Sequence, residues 1–102
     1  MYVVVQHDIK QPEVAFTRGR KLMTSEGAPT GVRNLQFYPS RDQSRVTCLW
    51  EAPSVDVVQG YVDTTLGDSS ENLCYEVNSE QAFARLPLGV RESAAVGVDR
   101  QA

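Results

Sequence analysis

The chain has 102 residues, a formal net charge of −3, two cysteines and one histidine. That length fits one domain of ordinary size, the slight acidic excess argues against general nucleic-acid binding, and no apolar run approaches the ~20 residues of a membrane span. The first strand pattern begins at Tyr2 with no signal-peptide pattern before it, so a cytoplasmic location with reduced thiols is expected.

Tyr2 to Ile9 (YVVVQHDI) is apolar on both faces through Val5, which suits a central strand covered on both sides. Gln11 or Asp8 can open the next helix, with Pro12 at its first position. Ala15, Phe16, Gly19, Leu22 and Met23 form its inner stripe; Glu13, Thr17, Arg20 and Lys21 point outward. Arg18, Arg20 and Lys21 are the only basic cluster and read as a solvated helix face. Ser25 to Gly31 is a loop. Val32 to Tyr38 is a second strand in which Leu35 and Phe37 share a face, and the polar stretch Pro39 to Ser44 is a hairpin loop.

Arg45 to Glu51 carries the clearest pattern. Val46, Cys48 and Trp50 alternate with Arg45, Thr47 and Glu51, the two-residue period of a strand with one face in a core. Leu49 makes the second face partly apolar. Ala52-Pro53-Ser54 ends the strand. Ser54 is a good N-cap, with Asp56 in the first turn where the helix dipole favours negative charge. Val55, Val58, Val62, Thr65 and Leu66 make one helical stripe, and Gly67 suits the position just past its end. Gly60 lies inside that stripe's helix and is compatible with close packing there. Asp68 to Asn72 reads as a turn. Leu73, Tyr75 and Val77 alternate with Cys74 and Glu76 in a fourth strand, and Ser79 to Ala84 reads as a short helical turn. From Leu86 on there is no sustained period, so residues 1–85 are expected to form the domain and 86–102 a flexible tail.

The order β-α-β-β-α-β is the ferredoxin-like α+β pattern. Right-handed crossovers put the first strand between the third and fourth and the second beside the third, with both helices on one face. The other face spans roughly 400 Å² at ~4.8 Å strand spacing and ~3.3 Å rise. It carries alternate residues of YVVVQH, Leu49, and Tyr38 or Asn34 and Gln36, too apolar to stay bare. A homodimer closed sheet against sheet, of the dimeric α+β-barrel type, is predicted.

Candidates for chemistry are few. Cys48 and Cys74 should lie about 9–10 Å apart with the first strand between them, beyond the ~7 Å a disulfide spans, and read as small buried hydrophobes. His7 follows Val3 and Val5 on one face near the end of its strand, either as a structural residue or as a metal ligand or proton-transfer group at a cavity mouth. Trp50, Tyr38, Tyr61 and Tyr75 are core aromatics or pocket walls. Phosphate-loop, dinucleotide, HExxH and CxxC motifs are all missing from the sequence.

The stretch Cys48-Leu49-Trp50-Glu51-Ala52-Pro53-Ser54 resembles a bacterial family of small proteins catalogued as a domain of unknown function, whose described members include a nickel-binding ferredoxin-like protein. The likeness extends to Arg41-Asp42-Gln43, to Asn72 and to Glu76-Val77. Where that family often has a histidine beside the cysteine, this chain has Thr47, so the ligands the resemblance implies for nickel or another divalent transition metal are His7 and Cys48. Three functions are expected from these features. The first is a small binding protein, holding a ligand through His7, Tyr38 and Trp50, or a metal through His7 and Cys48, between sheet and partner. The second is a cofactor-free monooxygenase or isomerase with His7 as base and Tyr38 or Trp50 shaping the pocket. The third is a structural or regulatory interaction module using the tail and the basic first helix.

Overall fold

Four segments with the two-residue period form strands: β1 (Tyr2–Ile9), β2 (Arg33–Pro39), β3 (Arg45–Glu51) and β4 (Ser70–Glu76). In the computed structural model, which describes residues 1–85, they make one antiparallel sheet in the order β2-β3-β1-β4. Helices α1 (Pro12–Arg18), α2 (Arg20–Thr24) and α3 (Val55–Leu66) cover one of its faces. This is the ferredoxin-like α+β fold, with β1 central as the crossovers require. The stretch expected to be a tail, from Leu86 on, lies outside the described residues.

Alternation decides what is buried. Val3 stands opposite Trp50, and Val5 opposite Cys48 on one side and Cys74 on the other. Val3, Val5, Val46, Cys48 and Trp50 meet Val58, Val62 and Leu66 of α3 in a single apolar cluster. Trp50 is wholly enclosed, edge-on to Tyr61 at 5.8 Å between ring centres. Both ends of α3 are tied. The Ser54 side chain accepts the Val57 N–H at 3.2 Å. At the other end Arg18 donates to the Leu66 carbonyl at 2.9 Å and pairs with Asp68 at 3.3 Å. One member of the basic cluster, though still exposed, therefore also caps a helix.

Several local features differ from the sequence expectation. The first helix breaks in two at Gly19, whose N–H still reaches the Ala15 carbonyl at 2.7 Å. A β-bulge between Asn34 and Gln36 separates Leu35 from Phe37, so Asn34 and Phe37 face the helices, opposite Trp50 and Cys48. The expected Asp68–Asn72 turn shrinks to a 3-10 turn at Gly67–Ser69. Ser70 to Asn72 join β4 because Ile9 to His7 offer them ladder partners. The expected helical turn at Ser79–Ala84 is a single turn closed on the Asn78 carbonyl. Gly60 packs against nothing: it faces solvent.

The two helical glycines should respond oppositely to alanine. A Cβ at position 19 would lie 2.8 Å from the Ala15 carbonyl oxygen, whereas one at position 60 meets no atom within 4 Å. Gly19→Ala should cost about 1–3 kcal/mol through crowding, and Gly60→Ala should stabilise by up to about 1 kcal/mol, both read from urea unfolding. Stabilisation by both substitutions would contradict the close approach at Gly19.

Candidate functional site

The alternation that buries Val3 and Val5 also sends His7 beneath the helices, although it lies near the end of β1. Its ladder neighbours are Val46 on β3 and Asn72 on β4. The helix layer above it is thin, because α1 and α2 together bury only Ala15 and Leu22. A small cleft, open to solvent on one side, lies between these short helices and the sheet. Val46, Cys48 and Phe37 join His7 on the sheet side; Ala15, Phe16 and Leu22 form the opposite wall. The lining is apolar except for the His7 ring and the Cys48 thiol.

His7 is only 4% exposed. Its Nδ1 lies 2.6 Å from the Asn72 side-chain oxygen. The orientation of that amide is set by its other contacts. Asn72 Nδ2 donates to Asp63 Oδ1 at 2.9 Å, and Ser70 Oγ donates to Asn72 Oδ1 at 2.7 Å. Gln59 Nε2 donates to both Asp63 oxygens at 3.1 Å and to the Asn72 backbone carbonyl at 2.8 Å. An oxygen facing Nδ1 can only accept, so the ring proton sits on Nδ1 and Nε2 carries a lone pair. Nε2 has no hydrogen-bond partner among the described residues. Burial holds the imidazole below its ordinary value of 6.5, against the opposing pull of the Asn72 hydrogen bond and the Asp63 charge. His7 is therefore neutral at pH 7.

Cys48 cannot serve as a ready nucleophile. Burial pushes its thiol up to about 12, despite an Asn34 amide donor 4.0 Å from Sγ. Cys74 is likewise pushed up to about 12, by burial first and the Asp63 charge second. Val5 stands between the two cysteines on adjacent strands, and both are free, as their spacing predicts.

The residues expected to hold a ligand are divided among three environments. His7 and Cys48 share the cleft. Tyr38 lies on the opposite sheet face, level with Thr47, because it neighbours the inward-facing Phe37. Trp50 is sealed in the core against Tyr61 and reaches no cleft. A ligand held jointly by His7, Tyr38 and Trp50, or between sheet and partner at His7, is excluded by this geometry. Asn72, Asp63 and Gln59 complete the site and were not legible as such: Asn72 sat in an expected turn, and the other two on an outward helix face. Their meeting with His7 depends on the β1–β4 register and on the packing of α3 against β4, which no local pattern encodes.

The donor set does not fit a divalent transition metal. Such ions take three or more protein ligands; His7 and Cys48 are two, the thiol is protonated, and no three of His, Cys, Asp and Glu gather among the described residues. Both lie on the helix side, so a partner seated on the open sheet face could not complete the set.

No protein-family model and no curated protein matches the chain. Among solved structures, the chain is similar to SCO4226 from Streptomyces coelicolor A3(2), at 18% identity over 76% of this chain and 96% of that one, with a TM-score of 0.56. At that identity the likeness supports the fold. No helix among the described residues is long and apolar enough to cross a membrane.

The buried imidazole makes stability depend on pH with a definite sign. Its native pKa lies below 6.5, so on acidification the unfolded chain takes up the proton first. The contribution is complete above the unfolded value and is lost as pH falls through it toward the native one. The urea midpoint should fall between about pH 7.5 and about pH 5.5, and His7→Gln should remove most of that slope. An unchanged slope in the variant would contradict the burial of a neutral His7.

Proposed function

We propose that the chain is a small-ligand-binding protein whose ligand lies in the cleft beneath α1 and α2, against His7. One observation carries this reading: a buried histidine with one nitrogen locked to Asn72 and the other unengaged, at the floor of an otherwise apolar cleft. The fully enclosed side-chain polar atoms without a partner among the described residues are Asn34 Oδ1 and Trp50 Nε1, so Nε2 is an unpartnered nitrogen that opens on the cleft. Ligand sites are typically apolar clefts with a few placed polar groups. The hydrogen-bonded path from His7 through Asn72 to Asp63 supports a second reading, a cofactor-free isomerase or monooxygenase with Nε2 as base and the Asp63 charge favouring the imidazolium. Nickel has too few donors here to be part of either reading. Kinship with the bacterial family that Cys48 to Ser54 resembles, and a cytoplasmic location that keeps the thiols reduced, belong to the same proposal.

The proposal includes a homodimer formed through the open sheet face. On that face Tyr38, Thr47, Gln6 and Leu73 form one row and Gln36, Leu49, Val4 and Tyr75 the next. Leu73 is 61% exposed, Tyr75 45% and Tyr2 42% in the single chain. Exposed large apolar side chains gathered on one sheet face, here Leu73, Tyr75 and Tyr2 among polar neighbours, support an interface there. Sedimentation velocity at micromolar concentration should give a dimer, and Leu73→Lys, which removes no internal contact, should give a folded monomer. A native chain that sediments as a monomer contradicts the dimer.

The cleft is tested by two-dimensional NMR with benzene and phenol as probes. Shifts should concentrate at His7, Leu22, Phe37 and Val46, and Ala15→Met, which fills the cleft, should abolish them. Absence of saturable shifts with every probe would overturn the ligand-site reading and leave the dimer untouched.

A further inference from the structure

The tautomer of His7 restricts what the cleft can hold. Resting on the reading of the cleft as a ligand site, we infer that its ligand class is a compact, neutral, apolar molecule bearing one hydroxyl-type donor, of the phenol kind, with the donor aimed at Nε2.

The chemistry follows from the groups around the ring. Asn72 presents oxygen to Nδ1 because its NH₂ is held by the Asp63 carboxylate and its oxygen also receives the Ser70 hydroxyl. Rotating the amide would set oxygen against carboxylate and NH₂ against the Nδ1 proton, with two hydrogen bonds lost. Asp63 is itself fixed by Gln59 from the preceding turn of α3. The polar atom left for the cleft is an acceptor. A ligand that brings another acceptor, such as an ether or carboxylate oxygen, meets a lone pair with nothing to share.

Charge is disfavoured as well. Among the described residues no Lys or Arg lines the cleft to receive an anion, and the charge acting on His7 is the negative Asp63. A cationic donor would lose its hydration against Phe16, Leu22 and Phe37, a cost one hydrogen bond does not offset. The Cys48 thiol is protonated and adds a weak S–H donor, a poorer hydrogen-bonding group than the imidazole nitrogen, and its sulfur already lies near the Asn34 amide. A neutral hydroxyl on a single ring satisfies Nε2 and leaves the rest of the lining to apolar contact.

The test compares three probes of nearly one shape on the full chain by NMR titration: phenol, its methyl ether anisole, and benzene. A neutral hydrogen bond contributes about 0.5–1.5 kcal/mol, so phenol should bind about twofold to tenfold more tightly than anisole. Asn72→Ala frees the ring to place its proton on either nitrogen. It should shrink phenol's advantage over anisole by a larger factor than it changes benzene affinity, a split that a merely structural role for Asn72 would not produce. Should Asn72→Ala fail to fold, the phenol–anisole ratio in the native chain decides alone. Equal affinity for phenol and anisole, with shifts still confined to the cleft, overturns the donor inference but not the ligand site; no binding of any probe overturns both.

Discussion

Strand β1 is hydrogen-bonded along both edges, to β3 on one side and β4 on the other. The rest of the molecule depends on that double constraint. With both ladders in place the strand cannot slip by one residue without exposing Val3 and Val5 and burying Gln6 and Asp8. The same register that secures the core carries His7 inward and sets Asn72 beside it. A buried imidazole is unfavourable unless its N–H finds an acceptor, and Asn72 supplies one at 2.6 Å. The site is thus a by-product of core packing, with one polar group carried along at the strand's end and half-satisfied there.

The helix layer over the sheet is uneven. Helix α3 has twelve residues, capped at both ends, and buries Val58, Val62 and Leu66. Helices α1 and α2 have seven and five residues and bury one side chain each. Short helices are held by their packing rather than by their own hydrogen bonds, and elements with few buried contacts open at low free-energy cost. The cleft sits beneath this weaker half. The break at Gly19 thins the cover above His7 and places the two shortest helices at the cleft mouth.

Much of the fold was legible from single residues and their spacing. Val46, Cys48 and Trp50 announced an inner strand by alternation, Ser54 and Asp56 announced the start of α3, and the element order dictated β1 as the central strand. What escaped notice depended on pairing between distant segments. The bulge at Asn34–Gln36 has no composition signal, yet it decides that Phe37 rather than Leu35 joins the core cluster. Ser70 to Asn72 look like a turn in isolation and become strand only because β1 offers them a ladder. His7 and Cys48 were identifiable as candidates by type. Tyr38 and Trp50 were misplaced as their companions, since a two-residue period sorts faces but does not say which side chains leave a gap. Asn72 and Asp63 are common polar residues whose role exists only through the register.

The central claim is that the β1–β4 register commits the His7 proton to Nδ1 and leaves Nε2 as an acceptor. Nitrogen-15 NMR of the histidine ring at neutral pH reads this directly, and the chain's single histidine makes the assignment unambiguous. A protonated Nδ1 with a proton-free Nε2, and a ring titration displaced below 6.5, is the predicted result. A ring protonated on Nε2, or one titrating at the ordinary value as an exposed imidazole does, would contradict the account.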